Sequence, residues 1–188
     1  MKSSNWLVSY AKGQIGRPYW YGTFGQTANA ALLKEKKAQY PSYYDQSKYN
    51  LKFTDQFGQK VHDCSGLIKG AMFCDTVNGT PKYDSKYDLS ANGMINACSQ
   101  TGSIDTIPEL PGVIVWKDNH VGIYIGENKV VEARGHDWGV VVTNIKDRGW
   151  KKWGKLPWLE YTQPTPSYTA EMAMAEIKLI VDKYYGNR

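Results

Sequence analysis

Hydrophobic and polar positions along this chain of 188 residues change their period partway, from helical spacing to strand spacing. Ser3 or Ser4 can cap a first helix. Trp6, Leu7, Tyr10 and Ala11 fall on one face of it, and Gly16-Arg17-Pro18 ends it. A second helix is predicted over 29–39, rich in Ala, Leu and Lys, stopping before Pro41. Residues 40 to 60 are crowded with Tyr, Ser and Gln and show no period, so a long surface loop or insertion is expected there. A third helix is predicted from Cys64 to Thr76 with Asp63 as its cap, and a fourth from Ser90 to near Gly102. After Pro108 and Pro111 the pattern becomes the short β-branched runs GVIVW, HVGIYIG, KVVEAR and VVVTN. Gly126-Glu127-Asn128 predicts a tight hairpin. Helices followed by an antiparallel sheet indicate an α+β fold.

Thr162 opens TQPTPSYT, which reads as a linker over 162–169 and makes 1–161 one domain. Beyond it Ala173, Met174, Ile177, Ile180, Val181 and Tyr184 share one face of a helix over 170–188. That helix either packs back on the domain or begins a further module. Charge changes the picture little: 23 basic against 18 acidic residues leave +5, which suits an anionic partner such as a bacterial wall and equally an ordinary soluble protein. No apolar run reaches the length of a membrane span, and MKSSNWLVSYAKGQIG has neither the apolar core nor the cleavage site of a secretion signal. Three cysteines without a CxxC pair or zinc spacing leave at least one free thiol.

The candidate chemistry starts at that thiol. Cys64 follows Asp63 at a predicted helix N-terminus, where unpaired N–H groups and the helix dipole favour the thiolate and can hold an oxyanion. The alternative is a buried structural cysteine behind an ordinary cap. His120 follows the polar KDN and stands at a strand entrance, where it is either a base for Cys64 or a lone edge histidine. If the hairpin centres on Glu127 and Asn128, Glu132 lies opposite Ile123 or one pair further along, close enough to orient the imidazole. Arg134 is a cation for a substrate carboxylate, or a partner of Glu132 or Asp137. Trp150, Trp153 and Trp158 interleave with Arg148, Lys151, Lys152 and Lys155, which reads as a closing strand with its tryptophans in the core and its lysines in water.

Taken together, DCSG at 63–66, HVGIYIG at 120–126, the polar residue at 132 and GRPYWYG at 16–22 resemble the NlpC family of cell-wall cysteine peptidases, relatives of papain, over roughly residues 5 to 160. RGHDWGVV and RGWKKWGKLPW are similar to phage and prophage members. The resemblance implies a papain-like fold with Cys64 as nucleophile, His120 as general base and acid, and Glu132 as the orienting residue. It implies that Tyr19 borders the cysteine and that Asp63 and Ser65 line a subsite for the stem peptide. The third position is most often His in the family and is Glu here, which makes His136 the reserve. The interval from Thr23 to His62 is longer than the family's usual gap, an insertion expected to form one wall of the cleft. The implied reaction is amide hydrolysis through a thioester, between D-glutamate and the diamino acid of a peptidoglycan stem peptide. It needs no metal or cofactor, no nucleic acid and no stable membrane insertion. Such a protein is made in the cytoplasm and acts at the wall through phage lysis or as part of a phage particle. IKLIVDKYYGNR is similar to the opening of the short wall-binding repeats of some phage lysins, so 170–188 is also readable as the start of a truncated module. Two alternatives stay open: an amidase or acyltransferase with the same triad, and a wall-binding module without catalysis.

Overall fold

A computed structural model describes residues 1–49 and 51–161, together with Met174, Ile177 and Lys178. Those last three are helical and exposed, while the predicted linker and the rest of the predicted terminal helix lie outside the described residues. In chain order the elements are β1 (Lys2–Ser3), α1 (Ser4–Gly13), β2 (Phe24–Thr27), α2 (Ala30–Gln39), β3 (Lys60–His62), α3 (Cys64–Phe73), α4 (Ala91–Ala97), β4 (Gln100–Ser103), β5 (Ile114–Lys117), β6 (His120–Gly126), β7 (Lys129–Ala133), β8 (Val140–Asn144), β9 (Lys152–Lys155) and β10 (Leu159–Glu160). Six strands form one antiparallel sheet in the order β4-β9-β5-β6-β7-β8. Two small pairs, β1 with β10 and β2 with β3, stand apart from it.

Each α-helix starts where a side-chain oxygen can take up an orphan N–H. Ser3, Asn29, Asp63 and Ser90 accept from the amides of Trp6, Leu32, Gly66 and Gly93. Two helices end earlier than their periodicity predicts. α3 stops at Phe73, because Cys74 turns extended and the Phe73 carbonyl accepts from Lys82 instead. α4 stops at Ala97, because Gln100–Ser103 pairs with β9 as an edge strand. The hairpin between β6 and β7 forms as predicted: Glu127 and Asn128 both have left-handed φ, 52° and 58°, the geometry that lets a two-residue turn follow the strand twist.

Alternation on the central strands divides the sheet into two faces. Ile114, Val121, Ile123, Val131 and Ala133 point to α1 and α3 and join the largest core with Leu7, Leu67, Ile68 and Met94. Val115, Tyr124 and Val130 point the other way, into a second core closed by Trp150 and Trp153. The described residues among 40–60 run mostly along the surface, as expected, with two of them turned inward. Tyr44 and Phe53 are buried with Trp20, Leu32, Leu33 and Val61 in a third core. Aromatic rings meeting at one centre from short 3₁₀ turns leave no period to read.

α3 lies close against β2 and the turn before it because that side of the helix carries Gly66 and Gly70. A Cβ on Gly66 would stand 1.8 Å from the Thr23 carbonyl oxygen, the group that accepts from the Asp63 amide. One on Gly70 would stand 2.9 Å from the Phe24 carbonyl. Gly66 therefore sets how closely the cap of α3 lies against the turn before β2. Gly66→Ala should cost about 1–3 kcal/mol by overpacking. That corresponds to a Tm lower by about 5 °C in a domain of this size. Thermal unfolding checks it, and an unchanged Tm would remove close packing as the reason for glycine at 66.

Candidate active site

Cys64 is the first residue of α3, placed there by its neighbour. Asp63 Oδ1 accepts from the Gly66 amide at 2.5 Å and from Ser65 Oγ at 3.1 Å, while Oδ2 accepts from the Gly22 amide at 2.8 Å. The carboxylate thus caps the helix and ties it to the turn after Tyr19. Both Asp63 and Ser65 are buried and spend their hydrogen bonds within the protein. The Cys64 sulfur faces the start of β6, 3.9 Å from the Asn119 carbonyl oxygen, with the Val121 amide also acting on it. These two residues flank His120.

His120 lies on the opposite face of the sheet from α3, with its ring turned along β7. Its Nε2 is 2.6 Å from Glu132 Oε2. The register explains the contact: Ile123 pairs with Val131, so Glu132 falls opposite Gly122, one pair beyond Ile123, and diagonally across from His120. Glu132 has no exposed surface. Thr143 Oγ1 donates to its Oε1 at 2.7 Å, and Arg148 spans both oxygens, Nε to Oε1 at 2.6 Å and Nη2 to Oε2 at 3.0 Å. Burial by itself raises the pKa of Glu132. Hydrogen bonds from His120, Arg148 and Thr143 outweigh it and bring the value down to about 2. An ionised carboxylate only accepts, so Nε2 of His120 is the donor in this bond.

Trp150 stacks on His120 with centroids 5.4 Å apart and planes 9° from parallel. Gly122 makes room for it, since a Cβ there would stand 3.1 Å from Cη2 of the indole. The three-residue stretch from Arg148 to Trp150 therefore reaches His120 twice, once through Glu132 and once by stacking. The sequence reading placed these residues in a closing strand and missed both roles. The available signal was the R-G-W spacing itself, in which residues two apart share a face.

Burial also decides the state of the thiol. It pushes the Cys64 pKa up, with the Asp63 charge in support, to about 12, against the lowering effect of the Val121, Ser65 and Cys64 amides. The helix N-terminus acts in the expected direction but does not prevail, so the resting sulfur holds its proton. The other two cysteines are also free, Cys74 in the core and Cys98 beside Gly154.

Tyr19 is close enough to Cys64 and Asp63 for their charges to raise its pKa further, after burial. Its hydroxyl stays protonated. His136 sits edge-on to Tyr19 with centroids 5.0 Å apart, inside a box completed by Tyr44, Tyr49 and Phe53. Neither of its ring nitrogens finds a hydrogen bond among the described residues. Burial lowers its pKa to about 4, against the backbone of Tyr19 and Tyr43 and the charge of Asp137, and leaves it neutral. The place beside His120 that His136 held in reserve is occupied by Glu132. Arg134 lies 3.8 Å over the Trp138 ring, and the Glu132 partnership open to it belongs to Arg148. His62 is fully buried against Tyr10, Nε2 to Oη at 2.9 Å, away from any cleft. Among the described residues no group of three or more His, Cys, Asp or Glu is arranged to hold a metal ion, and no helix is long and apolar enough to cross a membrane.

Comparison with known proteins bears on this geometry. The model of the NlpC/P60 family matches residues 16–157. A hypothetical invasion protein of Mycobacterium tuberculosis is similar in structure, with a TM-score of 0.51 at 17% identity, over 84% of this chain and 62% of that one. The resuscitation promoting factor interacting protein RipA gives 0.50 at 16%, over 81% and 61%. The peptidoglycan hydrolase RipB from Mycobacterium tuberculosis gives 0.49 at 18%, over 82% and 65%. This chain spans less than two thirds of each of these proteins, and at such identities the likeness is one of fold. No curated protein sequence matches. With a family match running from the turn before Tyr19 past the end of β9, and an antiparallel sheet flanked by helices in the papain-like manner, the chain belongs to the NlpC/P60 family.

Proposed function

We propose that this protein is a cysteine peptidase that hydrolyses an amide bond in the stem peptide of peptidoglycan, with Cys64, His120 and Glu132 as its catalytic residues. The observation that carries the reading is the hydrogen bond between His120 and the buried Glu132. Nε2 is 2.6 Å from Glu132 Oε2, and in this reading Nδ1 takes a proton at the start of β6, where the Asn119 carbonyl before His120 lies 3.9 Å from the Cys64 sulfur. Family membership supplies the substrate class.

In this mechanism Nδ1 of His120 takes the thiol proton as the sulfur bonds to the substrate carbonyl carbon. Negative charge moves to the carbonyl oxygen, beside backbone amides at the start of α3. The tetrahedral intermediate collapses, the C–N bond breaks, and His120 returns the proton to the leaving amine. Water, deprotonated by the same nitrogen, then attacks the thioester, and the C–S bond breaks to free the acid and restore the thiol. The Glu132 carboxylate stabilises the imidazolium at each transfer. Because the resting thiol is protonated, His120 acts as a base in the first step, and nucleophile formation waits for the imidazole rather than for the helix dipole.

Tyr19 borders the scissile bond, with His136 behind it as packing. Asp63 and Ser65 shape the stem-peptide subsite through the backbone they hold, and Arg134 supplies the cation for a substrate carboxylate. The bond cut is the one between D-glutamate and the diamino acid, and the setting is a phage or prophage lysin. The segment between Thr23 and His62, with its own aromatic core, forms one wall of the cleft.

Purified protein incubated with cell-wall sacculi should release fragments with new amine ends, and Cys64→Ala should abolish that release. Fragment masses identify the bond. Release that persists in Cys64→Ala sinks the nucleophile assignment, masses that show cleavage at the sugar–peptide amide select an amidase, and sedimentation with the wall without new amine ends selects a binding module. A second expectation concerns the thiol alone. Carbamidomethylation of Cys64 at pH 7, followed by peptide mapping against Cys74 and Cys98, should slow at least about tenfold in His120→Ala, because the sulfur then has no base. An unchanged rate would remove His120 from that role.

A further inference from the structure

A carboxylate with no exposed surface, 2.6 Å from the imidazole that must both take up and give back a proton, sets a problem of balance. Left without a partner, a buried anion is costly and is not held in one plane. As a protonated acid it would accept from Nε2 more weakly and would stabilise the imidazolium less. A cation fixed on both oxygens meets both difficulties.

We propose that Arg148 is a positioning residue of this site, whose guanidinium fork cancels the charge of Glu132 and fixes its plane, so that a glutamate can serve as the orienting group for His120. This rests on the reading of Cys64, His120 and Glu132 given above. The geometry is that of a bidentate pair, with both Glu132 oxygens engaged and Thr143 holding one of them from the far side. Arg148 is itself held. Its carbonyl accepts from Lys117 Nζ at 2.8 Å, and Lys117 also lies 5.3 Å over the Trp150 ring. Gly149, with φ of 62°, turns the chain so that Arg148 and Trp150 approach His120 from one side. The groups that face Glu132 are thus His120 from β6, Thr143 from β8 and Arg148 from the loop before β9, with Lys117 of β5 and Arg134 after β7 as the further charges in that field. A lysine at 148 would keep the charge but not the fork.

The test uses the full chain, with Arg148→Gln, Arg148→Lys, Glu132→Gln and the double variant Glu132→Gln/Arg148→Gln. Steady-state rates on a soluble stem-peptide fragment and the ¹³C resonance of the Glu132 carboxyl are followed across pH. Arg148→Gln should lower kcat about 10–100-fold, the usual cost of losing a group that orients a ligand or base, with KM within about twofold. The pH at which Glu132 takes up its proton should climb by at least about one unit. A carboxylate whose folded pKa is depressed adds stability above its ordinary value of 4.5 and loses it as pH falls through about 2, so acid unfolding of Arg148→Gln should begin at higher pH. Arg148→Lys should keep the Glu132 titration low while recovering only part of the rate. In the Glu132→Gln background, removing Arg148 should change the rate by no more than about twofold. A Glu132 resonance that titrates alike in Arg148→Gln and the parent protein overturns the proposal, as does multiplication of the two losses in the double variant. If Arg148→Gln does not fold, Arg148→Lys carries the decision: full parental rate with the fork lost overturns it. The resonance needs no turnover, so an inert parent protein would refute the hydrolase reading while the Glu132 titration still judges Arg148.

Discussion

Glu132 is a negative charge sealed inside a sheet, and much of the site follows from how that charge is satisfied. An uncompensated buried carboxylate costs several kcal/mol, and removing one partner of a buried pair is more damaging than never having built it. Four donors converge on its two oxygens, from β6, from β8 and twice from the loop before β9. Meeting that demand locks the relative positions of three segments distant in sequence. The orientation of His120 is therefore bound to the stability of the fold, and it does not depend on a substrate to set it.

The nucleophile side is built on different terms. Asp63 is also buried, but its partners are two backbone amides and a hydroxyl, and among the described residues it forms no salt bridge. Its charge is spent on capping α3 and on holding the turn at Gly22. Beside Asp63 and half-buried, the thiol of Cys64 has its pKa raised despite the helix amides around it. One half of the site thus holds a carboxylate paired with Arg148 and an imidazole, and the other a sulfur. The two halves meet at the entrance of β6, where the Asn119 carbonyl and the Val121 amide adjoin the sulfur.

Glycine does the spatial work on both sides. Gly66 and Gly70 let α3 lie on the backbone leading into β2, and Gly122 gives the indole of Trp150 its place over the imidazole. In each case a missing Cβ permits the approach of a group that a larger residue would push away, most of all at Gly66. That gives the glycines of the DCSG and HVGIYIG segments a steric reason, independent of any resemblance.

Local signals in the chain were enough for the elements and for half of the site. Side-chain caps begin the helices where Ser3, Asn29, Asp63 and Ser90 stand. The period-2 runs mark β5 to β8, and the Glu127-Asn128 turn sets the register that brings Glu132 to His120. These rest on contacts between residues close in sequence, or across one hairpin, and so can be read from spacing. Tertiary structure alone decided the rest. α4 gave way to a strand because β9, fifty residues on, offered hydrogen bonds to Gln100–Ser103. Tyr44 and Phe53 joined a core because Trp20 gathers them, and no period announces a cluster. Arg148 reads as one cation among several beside tryptophans, and only the folded sheet turns it inward to a buried carboxylate. The thiol's state is the sharpest case: sequence places it in the field of a helix, while its desolvation is a property of everything packed around it.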